Sequence, residues 1–141
     1  MKIRLHEGPV RTWKGRLPRP WGFRPSGTRP EVGRWGEWAA LKHLRRLGWD
    51  ILARNWRSKR GELDLVAYDG PQLVFVEVRT RLKPSSVRPE ESVDEAKEHR
   101  LERLASDFMR RYDLTGEPFR LDLIAVETPD FRNFELRHYN L

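Results

Sequence analysis

The sequence predicts a single α/β domain, a mixed sheet with helices on its faces, in the order α-β-β-β-α-β-β. Three observations predict it. Two apolar-rich runs, Glu-Leu-Asp-Leu-Val-Ala-Tyr and Leu-Val-Phe-Val-Glu-Val-Arg, read as strands joined through Asp69-Gly70-Pro71, a strong turn signal. A longer segment on each side of this hairpin carries apolar residues at helical spacing. The chain has 141 residues, 38% of them apolar, which gives room for one hydrophobic core.

The N-terminal arm comes first, and it has no periodic apolar pattern. Residues 1–33 hold five of the ten prolines and five of the ten glycines. Residues 1–32 therefore read as irregular, with Trp13, Trp21 and Phe23 as points of attachment, and 33–141 as the folded domain. The stretch 1–33 also carries eight Lys/Arg against two Glu, so +6 of the chain's net +7 resides there. Such an arm either holds a polyanion through phosphate contacts or is a solvated tail. Val32 could correspond to an alternative start codon, because a domain beginning at Gly33 loses nothing periodic.

After Pro30, residues Trp35, Trp38, Ala39, Leu41, Leu44 and Leu47 mark a helix, with Arg45 and Arg46 in its last turns and Gly48 as its stop. Residues 49–56 read as a strand, 58–61 as a loop, and 62–68 and 73–81 as the hairpin. Residues 83–91 are polar and proline-containing, and read as a mobile loop. Ser92-Val93-Asp94-Glu95 has the form of a capping box opening a helix to about Tyr112. Residues 119–127 and 134–139 supply the last strands.

Composition excludes several functions. The chain has no cysteine, so disulfides and thiolate metal sites are out, which suits the cytosol. No apolar run approaches the ~18 residues of a membrane helix, so no membrane partner is expected. His6, His43, His99 and His138 lack metal-ligand spacing and read as surface residues.

The hairpin carries the chemistry. Strand side chains alternate faces, and the turn sets a register in which paired residue numbers sum to 141. On one face Leu63 then meets Val78, Leu65 meets Val76 and Ala67 meets Val74, which is a core face. On the other face Asp64 opposes Glu77 and Glu62 opposes Arg79, at the charged end of an apolar surface. Cross-strand Cβ atoms lie roughly 4.5–5.5 Å apart, so two carboxylates there repel unless a proton or a cation intervenes. Hard oxygen donors suit Mg²⁺ or Mn²⁺, which activates water and stabilises charge on phosphate. The alternative is a solvated patch neutralised by Arg79 and nearby lysines. Arg57, Lys59, Arg60, Arg81, Lys83 and Arg88 rim the acidic pair, as phosphate contacts for a polyanion would.

The pair of runs "GELDLVA" and "LVFVEVR" resembles the PD-(D/E)xK nuclease signature. From "GRWGEWAALKHLRRLGWDILARNWR" through "SVDEAKEHRLERLASDFM" and "FRLDLIAVE" to "FELRHYNL", the chain more closely resembles the YraN family, related to Holliday junction resolvases. The resemblance implies a restriction-endonuclease-like αβββαβ core. It implies Glu37 as an additional acidic site residue, and Asp64, Glu77 and the Val78 carbonyl as ligands of Mg²⁺ or Mn²⁺. The departure is Arg79, where the motif has lysine; arginine cannot accept a proton but can stabilise charge on phosphate. Lys97, in the first turns of the second helix, is the candidate substitute, against the plainer reading of an exposed helix lysine.

Three functions are open to such a chain. The first is a Mg²⁺-dependent DNA endonuclease acting on branched or damaged DNA, with a homodimer as one possible form. The second is a nucleic-acid-binding module of the same fold with impaired catalysis. The third is a protein-interaction module using the helices and the arm's tryptophans.

Overall fold

The computed structural model describes residues 8–19 and 27–141. Its elements in chain order are β1 (Arg11–Arg16), α1 (Arg29–Arg46), β2 (Asp50–Ser58), β3 (Gly61–Tyr68), β4 (Leu73–Leu82), α2 (Glu95–Arg111), β5 (Phe119–Thr128) and β6 (Asn133–Asn140), with a 3₁₀ turn at Pro89–Ser92. One six-stranded sheet runs in the order β1-β6-β5-β4-β3-β2. The β4–β5 pair is parallel and the other pairs are antiparallel. The mixed α/β class expected from the sequence is the class observed.

Alternation along the central strands builds two cores. Val74, Val76 and Val78 of β4 and Ile124 and Val126 of β5 pack under α1, against Trp35, Ala39 and Leu44. Leu73 and Phe75 of β4 and Leu121, Leu123 and Ala125 of β5 pack under α2, against Leu101, Leu104 and Phe108. A parallel pair covered on both faces has apolar residues at nearly every position, which is why β4 and β5 read as continuous hydrophobic runs.

The arm departs from its expected irregularity. Residues 11–16 form β1, which pairs with β6 at the edge of the sheet, and Trp13 meets Phe134 edge-on with centroids 4.7 Å apart. A short strand with glycine and alternating charge carries no strong local signal; its order comes from the unpaired edge of β6. A domain begun at Gly33 would lose this strand and Val32, which is buried. Trp21 and Phe23 lie outside the described residues. His43 and His138 correct the surface reading: both are fully buried, joined Nε2 to Nδ1 at 3.1 Å, and His138 Nε2 meets Asp122 at 2.6 Å. Paired imidazoles satisfy each other, so they need neither solvent nor metal.

The second helix is capped by Asp94, whose side chain accepts from the Lys97 amide at 2.8 Å, while the Ser92 hydroxyl donates to the Pro89 carbonyl. The helix therefore starts two residues later than the expected capping box. The 83–91 segment is also tied down rather than free. Glu90 is buried and accepts from Arg137 Nη2 at 2.9 Å and from Tyr139. These bonds hold its carboxyl well below the usual range, at about 2, against the opposing pull of burial.

Gly36 sets how closely α1 approaches the sheet. A Cβ there would collide with the Thr80 side chain of β4. Gly36→Ala gains up to about 1 kcal/mol of helix propensity but overpacks this contact at a typical cost of about 1–3 kcal/mol. Denaturant unfolding should show a net loss of stability; a more stable variant would mean that α1 can move away from β4 freely.

Candidate functional site

The hairpin register holds at its apolar end and fails at its charged end. Tyr68↔Leu73, Ala67↔Val74, Val66↔Phe75 and Leu65↔Val76 pair as expected, and the ladder stops there. Asp64 does not sit opposite Glu77 as a ladder pair. Its carboxylate instead accepts from the Val78 amide at 2.9 Å. Leu63 likewise leaves the core face predicted for it and packs under α2, although Leu65 packs under α1. Residues two apart on a strand normally share a face, so β3 breaks its alternation at Asp64. Where β3 parts from β4, a side chain can fill the gap and cap the freed amide.

An open groove of about 650 Å³ occupies this parting, lined by Glu37, Glu62, Asp64, Glu77, Val78, Arg79 and Lys97 among others. Glu37 comes from α1, Glu62 and Asp64 from β3, Glu77 from β4 and Lys97 from α2. Glu37, Glu62 and Asp64 each offer a carboxylate oxygen, and the three oxygens lie within 4.8 Å of one another. Glu77 is buried and meets two cations, Arg79 Nη2 at 2.9 Å and Lys97 Nζ at 3.3 Å. The Arg79–Glu62 pairing allowed by the expected register does not occur; Glu62 meets Arg57 at 3.2 Å.

Lys97 corrects the plainer reading of an exposed helix lysine. Its side chain is only 17% exposed and points at Glu77. Arg79 lines the same groove, and its Nε is buried without a partner among the described residues. The basic rim is more divided. Arg81 and Lys59 remain unpaired among the described residues, and Arg81 lines the groove. Arg57, Arg60, Lys83 and Arg88 are engaged with Glu62, Asp107, Glu127 and Glu90 respectively. The Arg57–Glu62 pair is the exposed one, and such pairs contribute about 0–1 kcal/mol, so a phosphate can exchange with its carboxylate; Asp107, Glu127 and Glu90 are largely buried. Sequence reading missed Arg29 and Arg100, which line the groove. The guanidinium of Arg100 lies against Gly61, whose φ of +143° and missing side chain leave it room. Only the α2 helical period, three residues on from Lys97, could have suggested Arg100.

Burial and the neighbouring Glu77 push Asp64 up to about 8, against the pull of the Val78 amide and Arg79. Glu37 is also raised, by burial first and then by Glu62 and Glu77. Burial is the larger cause of both shifts, and repulsion between the acids adds to it. Carboxylate oxygens gathered this closely could hold a small divalent cation such as Mg²⁺ or Mn²⁺.

A mixed α/β domain with carboxylates gathered where two central strands part is the class of protein that fold and groove define. Within that class, the chain belongs to the uncharacterised protein family UPF0102, which it matches over residues 36–126. It is 43% identical over 102 residues to a UPF0102 protein of Roseiflexus castenholzii, covering 72% of this chain and 82% of that one. A UPF0102 protein of Symbiobacterium thermophilum is 47% identical over 102 residues, covering 72% and 86%. One from Chloroflexus aurantiacus is 42% identical over 108 residues, covering 76% and 88%. The matched region contains every carboxylate of the groove.

The raised Asp64 gives a stability test. Its folded pKa lies above the unfolded value, so the folded protein keeps a proton that the unfolded chain releases between about pH 4 and pH 8. Its contribution is present at low pH and is lost as pH rises through that window. Asp64→Asn, which cannot ionise, should therefore unfold at a higher temperature than wild type near pH 8.5 in chelator. The gap should close toward about pH 4. Parallel pH curves for the two proteins would contradict the raised value.

Proposed function

We propose that this protein is a Mg²⁺- or Mn²⁺-dependent DNA endonuclease of the PD-(D/E)xK type, related to the YraN proteins and acting in the cytoplasm on branched or damaged DNA. The observation that carries the reading is the groove itself, where Asp64, Glu77 and Val78 from two parting strands meet Lys97 from α2. Asp64, Glu77 and the Val78 carbonyl are the proposed ligands, with Glu37 beside them. A bound cation would supply Lewis acidity toward a phosphodiester and lower the pKa of water.

The protein's own residues have separate tasks. Lys97 takes the place of the motif lysine: unlike a guanidinium it can release a proton, and it can orient water beside Glu77. Arg79 meets the same Glu77 oxygen as Lys97 and is directed at charge developing on phosphate. Arg29, Arg81 and Arg100 line the groove as contacts for flanking phosphates, with Lys59, the exchangeable Arg57, and Arg60, Lys83 and Arg88 further out. Cutting a four-way junction symmetrically would require two copies related by a two-fold axis.

The test is cleavage of linear, nicked and four-way-junction DNA by wild type, Asp64→Ala and Lys97→Ala with Mg²⁺ or Mn²⁺. Wild type should cleave only with metal. Asp64→Ala should fall to background, and Lys97→Ala by about 10²-fold or more. Equal activity in wild type and Asp64→Ala would identify a contaminant and remove the reading. A second reading has its own observation, the arginine at position 79, and makes the protein a binding module. It predicts DNA binding that weakens with salt and ignores both metal and Asp64→Ala.

A further inference from the structure

Asn55 stands on β2, the edge strand next to β3, and is exposed. Arg54↔Leu65 and Trp56↔Leu63 flank it in the ladder, so Asn55 lies opposite Asp64. Its φ is +50°, in the left-handed region that only glycine, asparagine and aspartate enter at small cost. The alternation of both strands breaks at this pair, and β2 carries a second register shift between Ile51 and Ala53. Leu65 packs under α1, whereas Leu63 and its partner Trp56 pack under α2. A left-handed residue inside a ladder re-aims the strand as a bulge does, and such features gather beside functional sites.

The side chain of Asn55 matches the surrounding carboxylates as closely as its backbone matches the break. With carboxylates on both sides, the amide is assigned with its nitrogen turned toward them. That nitrogen donates to Glu62 Oε1 at 2.9 Å and to Glu37 Oε2 at 3.0 Å. One NH₂ group thus uses both protons to join an acid of α1 to an acid of β3. Among the described residues no cationic side chain takes this place: Arg57 meets Glu62 at its other oxygen, Oε2.

We infer that Asn55 is the positioning residue of the carboxylate cluster: its left-handed backbone turns Asp64 into the groove, and its amide clamps Glu37 to Glu62. Asparagine supplies both properties together. Glycine would keep the backbone and lose the clamp, and alanine would lose both. Aspartate would keep the backbone but add a third acceptor where two donors are needed.

The clamp can be tested without metal. In a ¹H–¹⁵N spectrum of the metal-free protein, the Asn55 side-chain NH₂ pair, assigned by its loss in Asn55→Gly, should shift in Glu37→Gln and again in Glu62→Gln. A pair that stays unmoved in both would overturn the inference. The second arm rests on the proposed nuclease reading. Asn55→Gly should melt within a few degrees of wild type yet bind Mn²⁺ about 10–100-fold more weakly by electron paramagnetic resonance, the range for losing a group that orients ligands. Asn55→Ala should in addition lose stability, and unchanged Mn²⁺ affinity in folded Asn55→Gly would overturn the inference. Wild type that binds no Mn²⁺ would sink the metal reading alone, and the NH₂ resonances would still decide the role of Asn55.

Discussion

Repulsion among carboxylates held at one point of the sheet is the constraint around which the rest of the site is arranged. Glu37, Glu62 and Asp64 bring oxygens within 4.8 Å of one another, and Glu77 faces the same groove. Left to themselves such groups would move apart or take up protons, and burial together with the neighbouring Glu77 raises Asp64. Each neighbouring element counters the repulsion. The Val78 amide, freed where β3 leaves β4, bonds to Asp64. Arg79 and Lys97 both meet Oε1 of Glu77, and Arg57 meets Glu62. Gly36 lets α1 sit close enough to β4 to deliver Glu37.

Much of the fold was legible because the physics was local. The turn at Asp69-Gly70-Pro71 sets the register at the apolar end, and four of the expected pairs are observed. The two long helices and the strands at the C-terminal end follow from periodicity. What was not legible depends on partners distant in sequence. Residues 11–16 become a strand because β6 presents an unpaired edge more than a hundred residues away. His43 is buried because His138, 95 residues on, meets it across the core. Polar 83–91 is anchored because Glu90 reaches Arg137, 47 residues on.

The site was legible in its membership more than in its geometry. Glu37, Asp64, Glu77, Arg79 and Lys97 all line one groove. Strict alternation, however, gave a facing pair of Asp64 and Glu77 that the strand does not form. That rule assumes every residue stays in the β region, and on the neighbouring strand β2 Asn55, at φ +50°, does not. An asparagine in a strand, opposite an acid, is a weak signal in sequence and a strong one in three dimensions. Arg79, where the resembled motif has lysine, is also recast by the fold, because a lysine reaches the same carboxylate from α2.

The central claim is that this cluster is a cation site built for phosphodiester chemistry. It is tested most directly by growing crystals with millimolar Mn²⁺ and measuring anomalous scattering at the manganese edge. A peak within coordination distance of the carboxylates of Asp64 and Glu77 and of the Val78 carbonyl, lost in Asp64→Asn, is the expected result. A map with no peak in the groove, while Glu77 remains bound to Lys97 and Arg79, would contradict it.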